Sequence, residues 1–356
     1  MQQDNIIFSV HPRQDGQGTG LITLNRPSFL NALDYNMAVT LRETLFGWAD
    51  DDTISHVVMA GSTPRAFCAG GDVRALFSLV EGGDHDQVVQ YFKAEYLADL
   101  AVAEFPKPII ALVDGVVMGG GAGLMQASSH AIVSNTTKFA MPESAIGLFP
   151  DAGATVFLGR CPRAIGLMLG MTGRIIGGAD CLMLGLATSM THTDQMPALQ
   201  TALLAADASQ IDQVLADFQH DPGPTPLQNH RAAIEFIFSG DDPVAMRDRA
   251  HDMATIKGDE FAGQIHHALS TRCPMTIALF VQMMQKGENM TDLADCLAQD
   301  FLLAVKMSAR TDFHEGVRAV LIDKTNDPNW SPNRLEDVDQ QMIDDVFDHA
   351  GLPPLR

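Results

Sequence analysis

Over its first 135 residues or so the chain alternates short apolar runs with helical stretches, and this alternation restricts its fold more than any other feature. Ile6–Val10 and Gly20–Leu24 have strand character and flank the turn-forming Asp15-Gly16-Gln17-Gly18. Asn31–Ala49 has helical spacing, with Leu33, Met37, Leu41 and Leu45 on one face. Val57–Gly61 is a short buried strand, Asp86–Phe105 a helix and Pro108–Val113 an apolar strand. A glycine cluster then opens a helix near Gly120, and Ala131–Ser134 is a further strand. Strand and helix in turn predict an α/β unit with parallel strands. From about Ala164 the pattern becomes mostly helical, with helices expected at Ala198–Phe218 and Pro243–Ala254 and a loop at Asp221–Pro226. A division into an α/β core over residues 1–195 and a helical region over 196–356 follows.

Charge narrows the function. The chain has 23 Lys and Arg against 44 Asp and Glu, a formal net charge of −21. A nucleic-acid binder needs basic side chains to replace phosphate counterions, and an anionic membrane surface wants the same, so neither is an expected partner. Residues 191–260 alone hold 12 acidic and 4 basic side chains, as solvated helix faces do. Five widely spaced cysteines, with no C-x-x-C, point to a reducing compartment rather than to a disulfide framework or a zinc site. His266-His267 point to different faces of a helix, and no metal is expected. Met1–Asn5 lacks a cationic leader, and the apolar stretch Pro108–Val133 is broken by Asp114, five glycines and Ser128-Ser129-His130. A cytoplasmic protein is the expectation.

Four segments combine residues suited to chemistry. Arg65-Ala66-Phe67-Cys68-Ala69-Gly70-Gly71-Asp72 follows a buried strand and suits a turn with backbone N–H groups open to a ligand, or an ordinary strand-to-helix turn. Met118-Gly119-Gly120-Gly121-Ala122-Gly123 lets another group approach the backbone closely. It lacks the G-K-[ST] of a phosphate-gripping loop, and the alternative is close helix–strand packing. Glu143 and Asp151 stand eight apart in a mainly apolar, Pro- and Gly-rich stretch. Carboxylates among apolar groups suit acid–base work, although Asp151 could equally cap a helix. Asp312–Lys324 on its own has the pattern of a surface helix running into a loop, and no G-x-S-x-G elbow supports a serine nucleophile.

Taken together, Leu24-Asn25-Arg26-Pro27 with Asn31-Ala32-Leu33, Phe67–Asp72, Gly119-Gly120-Gly121 and Met141-Pro142-Glu143 resemble the enoyl-CoA hydratase/isomerase (crotonase) superfamily. Ile146–Asp151 and Asp312–Lys324, followed by Pro328, Trp330 and Pro332, extend the likeness to the branch that hydrolyses short 3-hydroxyacyl-CoA thioesters. The resemblance implies a spiral of ββα turns followed by helices. It implies an oxyanion hole from the Gly71 and Gly120 N–H groups, Glu143 and Asp151 as catalytic carboxylates, and Glu95 contacting substrate. Asp72 and Arg74 join Gly71, Gly120 and Glu95 as substrate-binding candidates. The second carboxylate of the hydratases falls where this chain has Gly123, which counts against water addition. The expected partner is an acyl-CoA, whose CoA is part of the substrate, so no separate cofactor is expected. The oligomeric state stays open between monomer and homo-oligomer. Because CoA is itself polyanionic, Arg26, Arg65, Arg74 and Lys324, in or beside these motifs, are candidates for the pocket mouth.

Overall fold

The computed structural model describes residues 4–348 and 350–356. It divides into two compact units interleaved along the sequence: Met1–Asp72, Ala94–Phe139 and Ile176–Thr225 in the first, and Val73–Lys93, Ala140–Ile175 and Pro226–Arg356 in the second. The boundary drawn near residue 195 marks a shift in composition, whereas compactness follows which segments pack together.

The strands belong to the first unit, apart from Ala140 at the end of one of them. They are β1 (Ile6–Pro12), β2 (Gly18–Leu24), β3 (Ile54–Gly61), β4 (Ala66–Cys68), β5 (Ile109–Val113), β6 (Val116–Met118), β7 (His130–Ser134), β8 (Lys138–Ala140), β9 (Ile176–Gly177) and β10 (Ser189–Thr191). A six-stranded sheet runs in the order β1-β2-β3-β5-β7-β10, and a four-stranded sheet in the order β4-β6-β8-β9. β1 and β2 form an antiparallel hairpin, while β2, β3, β5, β7 and β10 pair in parallel. Each successive strand pair places its longer strand (β3, β5, β7) in one sheet and its shorter one (β4, β6, β8) in the other. The chain thus advances one position in both sheets at every turn, which is the spiral of ββα turns that the resemblance implies.

Val57–Ala60 and Ile109–Val113 are buried on both faces, so these strands are continuous apolar runs rather than alternating ones. Val58, Ile110, Leu112 and Ile132 pack against Met196, Leu199, Leu203, Ile211 and Leu215, which cover one face of the large sheet. Those covering residues come from two helices, Met196–Ala205 and Ile211–Asp217, where the sequence spacing predicts one. The break is a capping box. Asp207 accepts the Ser209 N–H at 2.7 Å while Gln210 accepts the Asp207 N–H at 3.0 Å. The first long helix likewise begins at Tyr35 instead of Asn31, because Asp34 caps it through the Met37 N–H at 2.9 Å.

Asn31 is fully buried with a left-handed backbone (φ 58°). Its side chain donates to the carbonyls of Ala66 (2.8 Å) and Phe67 (3.2 Å) and accepts the Arg26 N–H (2.9 Å). It fastens the loop after β2 to β4, the strand that leads into Gly70-Gly71.

The second unit is helical. Pro243–Lys257 and Glu260–Thr271 form a hairpin, followed by Pro274–Lys286 and Leu293–Ser308. Gly170, in the helix Arg163–Thr172, allows the Phe280 ring to lie where a Cβ would stand. Among the described residues no helix is long and apolar enough to cross a membrane.

Replacing Asn31 with Ala leaves two buried carbonyls without their donor. Asn31→Ala should lose about 1–3 kcal/mol of stability, measured by urea unfolding.

Candidate active site

In the first unit the turn after β4 and the turn after β6 meet. Gly70 has φ +99°, and a Cβ there would stand 3.0 Å from the Met118 carbonyl and 3.3 Å from the Gly120 nitrogen. A Cβ on Gly121 would collide with the Cys68 carbonyl. Only glycine allows this approach.

The approach leaves two amides side by side. Gly71 forms a parallel bridge with Leu33, in which Leu33 N–H donates to Gly70 (2.8 Å) and Asp72 N–H donates to Leu33 (2.7 Å). The Gly71 N–H therefore points away from Leu33. Gly120 is the first residue of the helix Gly120–Ala127, so its N–H has no acceptor within the helix and sits at the positive end of the dipole. A Cβ on Gly120 would lie 3.5 Å from the Gly71 nitrogen. Glu95, buried on the helix His85–Ala103, packs its carboxylate over both glycines: a Cβ on Gly71 would meet Oε2 at 2.8 Å, and one on Gly120 would collide with Oε1. Paired amides of this kind can hold an oxygen that gains negative charge. Cys68 lies beside them but is no nucleophile. Burial above all, with the charges of Glu95 and Asp99 in support, pushes its thiol up to about 12.

Arg26 and Asp72 are also in this unit, and they pair with each other. Arg26 donates to Asp72 at 2.9 Å and to the Ala32 carbonyl at 2.8 Å, and its guanidinium lies 4.6 Å from the centre of the Phe29 ring. The pair joins the residue that the sequence reading places at the pocket mouth, Arg26, to the one it places on substrate, Asp72. Arg65 is exposed.

The second unit holds Glu143, Asp151, Arg74 and Lys324. Glu143 is buried at the start of a short 3-10 turn, and its carbonyl accepts the N–H groups of Ile146 (3.0 Å) and Leu148 (3.2 Å). Asp151 is half-buried and precedes two left-handed residues, Ala152 (φ 51°) and Gly153 (φ 85°). The following helix, Ala154–Gly159, takes Gly153 as its N-cap, so Asp151 does not cap it. Arg74 donates to the Leu321 carbonyl at 2.6 Å, and Lys324 is exposed.

The segment Asp312–Pro332 supports the loop that carries both carboxylates. Gly147 (φ +72°) lies against the Asp312 backbone, and Gly316 lies against Ile146; a Cβ at either would collide. The Cys273 N–H donates to the Ser144 carbonyl at 2.9 Å. Asp312, fully buried, accepts from Arg310 (3.0 Å) and from the Ser331 N–H (2.7 Å). Glu315 accepts from Arg318 and from the Asn329 N–H (2.9 Å). Trp330 donates its indole N–H to Thr271 at 2.9 Å. The isolated sequence pattern of a surface helix therefore gives way to a clasp with Phe313, Gly316 and Val317 buried.

One residue beyond the sequence reading joins this group. Asp300, on the helix Leu293–Ser308, is 1% exposed and accepts the Gly153 N–H at 2.9 Å. Its signal was an Asp on the apolar stripe formed by Cys296, Leu297, Phe301 and Ala304. Among the described residues no three His, Cys, Asp or Glu side chains are grouped to hold a metal ion.

Residues 19–347 match the enoyl-CoA hydratase/isomerase family, and the chain belongs to it. Among curated relatives it is 35% identical to the mitochondrial 3-hydroxyisobutyryl-CoA hydrolase of Xenopus tropicalis, over 95% of this chain and 88% of that protein. It is 32% identical to 3-hydroxyisobutyryl-CoA hydrolase 1 of Arabidopsis thaliana, over 94% and 92%. Two solved structures align over 99% of the chain. One is a carnitinyl-CoA dehydratase from Mycobacterium thermoresistibile (TM-score 0.91, 30% identity, 99% of that chain). The other is an enoyl-CoA hydratase from Rhodobacter sphaeroides 2.4.1 (TM-score 0.89, 31% identity, 100% of that chain).

Two predictions follow from the clasp. Gly147→Ala forces a side chain into a left-handed position against backbone and should cost about 1–3 kcal/mol, read by thermal unfolding. Glu315 is held at about 2, chiefly by its hydrogen bonds from Arg318. Because that value is depressed, Glu315 contributes stability above its ordinary value of 4.5 and loses it as pH falls toward about 2. Glu315→Gln should therefore unfold at lower urea than the parent at pH 6, with the gap closing on acidification.

Proposed function

We propose that the chain hydrolyses the thioester of 3-hydroxyisobutyryl-CoA, or of a similar short 3-hydroxyacyl-CoA, to the free hydroxy acid and CoA, a step of valine breakdown. The observation that carries the reading is the pair of amides at Gly71 and Gly120 under the Glu95 carboxylate. Relatives of nearly full length named as 3-hydroxyisobutyryl-CoA hydrolases support the substrate and the bond cleaved.

In this scheme the thioester carbonyl oxygen accepts from the Gly71 and Gly120 N–H groups. As the carbonyl carbon is attacked, negative charge builds on that oxygen, and the two dipoles stabilise it without having to reorganise. Glu143 is the attacking group or its base. As nucleophile it forms an acyl anhydride, the C–S bond breaks and CoA leaves as a thiolate; water then cleaves the anhydride. As base it takes a proton from the water that attacks the thioester directly. Asp151 orients Glu143, the water or the substrate hydroxyl, and Glu95 binds that hydroxyl. No cofactor takes part, since CoA is a portion of the substrate.

Arg65, Arg74 and Lys324 remain the proposed cations for the CoA phosphates; Arg74 also donates to the Leu321 carbonyl. The five cysteines are all buried, which fits a reducing compartment, and a cytoplasmic location is proposed on that ground, although the vertebrate relatives are named as mitochondrial.

A second reading is water addition to an enoyl-CoA, and the names of the two solved structures favour it. A panel of acyl-CoA thioesters assayed for free thiol and for loss of enoyl absorbance decides between them. The expected outcome is fast thiol release from 3-hydroxyisobutyryl-CoA, little from acetyl-CoA, and no loss of enoyl absorbance. Glu143→Gln should lower hydrolysis at least ~100-fold. Single turnover in ¹⁸O-labelled water separates the two roles of Glu143, because only the anhydride route can leave label in its carboxylate.

A further inference from the structure

We propose that Asp300 is a positioning residue for Asp151, a buried carboxylic acid that holds the backbone turn carrying it. The inference rests on Asp151 having the catalytic role proposed above.

The turn needs holding. Ala152 and Gly153 are consecutive left-handed residues, and Ala resists that conformation. Asp300 Oδ2 accepts the Gly153 N–H at 2.9 Å, and the Cys296 thiol lies 3.7 Å from the same oxygen. Oδ1 is buried with no hydrogen-bond partner, and no cation pairs with Asp300 among the described residues. A lone ionised carboxylate in such a place is strongly disfavoured. Burial first, and the nearby Asp151 charge next among the raising influences, push the Asp300 carboxyl well above the usual carboxylate range.

Of the elements packed against the helix Leu293–Ser308, Ala154–Gly159 carries no titratable side chain. Thr311–Val317 carries Asp312, His314 and Glu315, engaged by Arg310, Glu81 and Arg318 respectively. Gln340–Phe347 carries Asp344 and Asp345, both exposed. Asp151 and Cys296 are the titratable groups acting on Asp300. Asp300 thus fixes the turn as an acceptor that burial holds toward its neutral form.

The test uses the full chain with 3-hydroxyisobutyryl-CoA and compares Asp300→Asn, Asp300→Ala and Asp151→Asn with the parent over about pH 5–10, with thermal unfolding alongside. Asn is neutral and can still accept the Gly153 N–H, so Asp300→Asn should keep kcat within about threefold near neutrality. Asp300→Ala should lose at least tenfold in kcat with KM within about twofold. In the parent, ionisation of Asp300 at rising pH should lower kcat, and Asp300→Asn should lack that alkaline limb. Because the folded-state value is raised, the stability tied to the neutral acid is full below its ordinary range and is lost as pH rises. The melting temperature of Asp300→Asn should therefore exceed the parent's by a margin that grows with pH. Should Asp300→Ala fail to fold, Asp300→Asn decides: a pH profile and melting margin identical to the parent's overturn the proposal. Loss of activity in Asp151→Asn with neither Asp300 variant affected overturns it too, and leaves the Asp151 assignment standing. Full activity in Asp151→Asn overturns that assignment and this inference with it.

Discussion

The first unit depends on two backbone turns that touch. Gly70-Gly71 after β4 and Gly119-Gly120 after β6 come within van der Waals range because neither carries a side chain at the contact. The pairing of β4 with β6 in the small sheet brings the two turns to the same end. A Cβ at Gly70, Gly120 or Gly121 would drive backbone from backbone or displace Glu95, and the two amides would separate. Backbone donors have the further merit of rigidity: they are held by the sheet and the helix, so aiming them needs no side-chain ordering when charge develops. The Asn31 bonds to β4 and the Arg26–Asp72 pair hold the approach to that turn. These residues of the Leu24–Leu33 motif act on structure first.

The second unit solves a different problem. Two carboxylates must be held on a loop with almost no regular structure, and loops of that kind drift unless other elements pin them. Here the pins come from residues far along the chain: Cys273 on Ser144, the Asp312–Gly316 backbone on Ile146-Gly147, and Asp300 on Gly153. Asp312 and Glu315 in turn tie down Ser331 and Asn329, which locks the supporting segment itself. The motif around residues 312–332 is thus a brace for the loop of Glu143 and Asp151, and its likeness to the hydrolase branch has a mechanical reason.

Legibility in the sequence followed whether a residue's task is local. The parallel strands were visible as unbroken apolar runs, and the glycine clusters as places where backbone must come close. The break at Ala206–Gln210 was also legible in principle, since Asp207 and Gln210 have capping-box spacing, but the apolar periodicity on either side masked it. The tasks of Asp72, Asp300 and Asp312 were not legible, because each depends on a partner that only tertiary folding supplies: Arg26, Gly153 and Ser331. A charged residue on an apolar helix face, as at Asp300, states that something buried must satisfy it, without saying what. The interleaving of the two units lay beyond reach for the same reason, since composition changes once along the chain whereas packing alternates.

Nearly superposable backbones carry hydratase and dehydratase names, while sequence relatives of nearly full length carry hydrolase names, so the fold alone cannot select the reaction. The selection has to come from side chains on a shared frame. Adding water across a double bond asks for a proton to be taken from water and another delivered to carbon, which two carboxylates on one water provide. The resemblance places the second of these at Gly123, buried one turn beyond Gly119-Gly120 on the helix Gly120–Ala127, and glycine has nothing to offer there. Hydrolysis of a thioester asks for less at that point: one carboxylate to attack or to deprotonate water, donors for the oxyanion, and a thiolate that leaves without general-acid help. In the proposed scheme Glu143 and the Gly71 and Gly120 amides supply that smaller set, with Asp151 as a further acid.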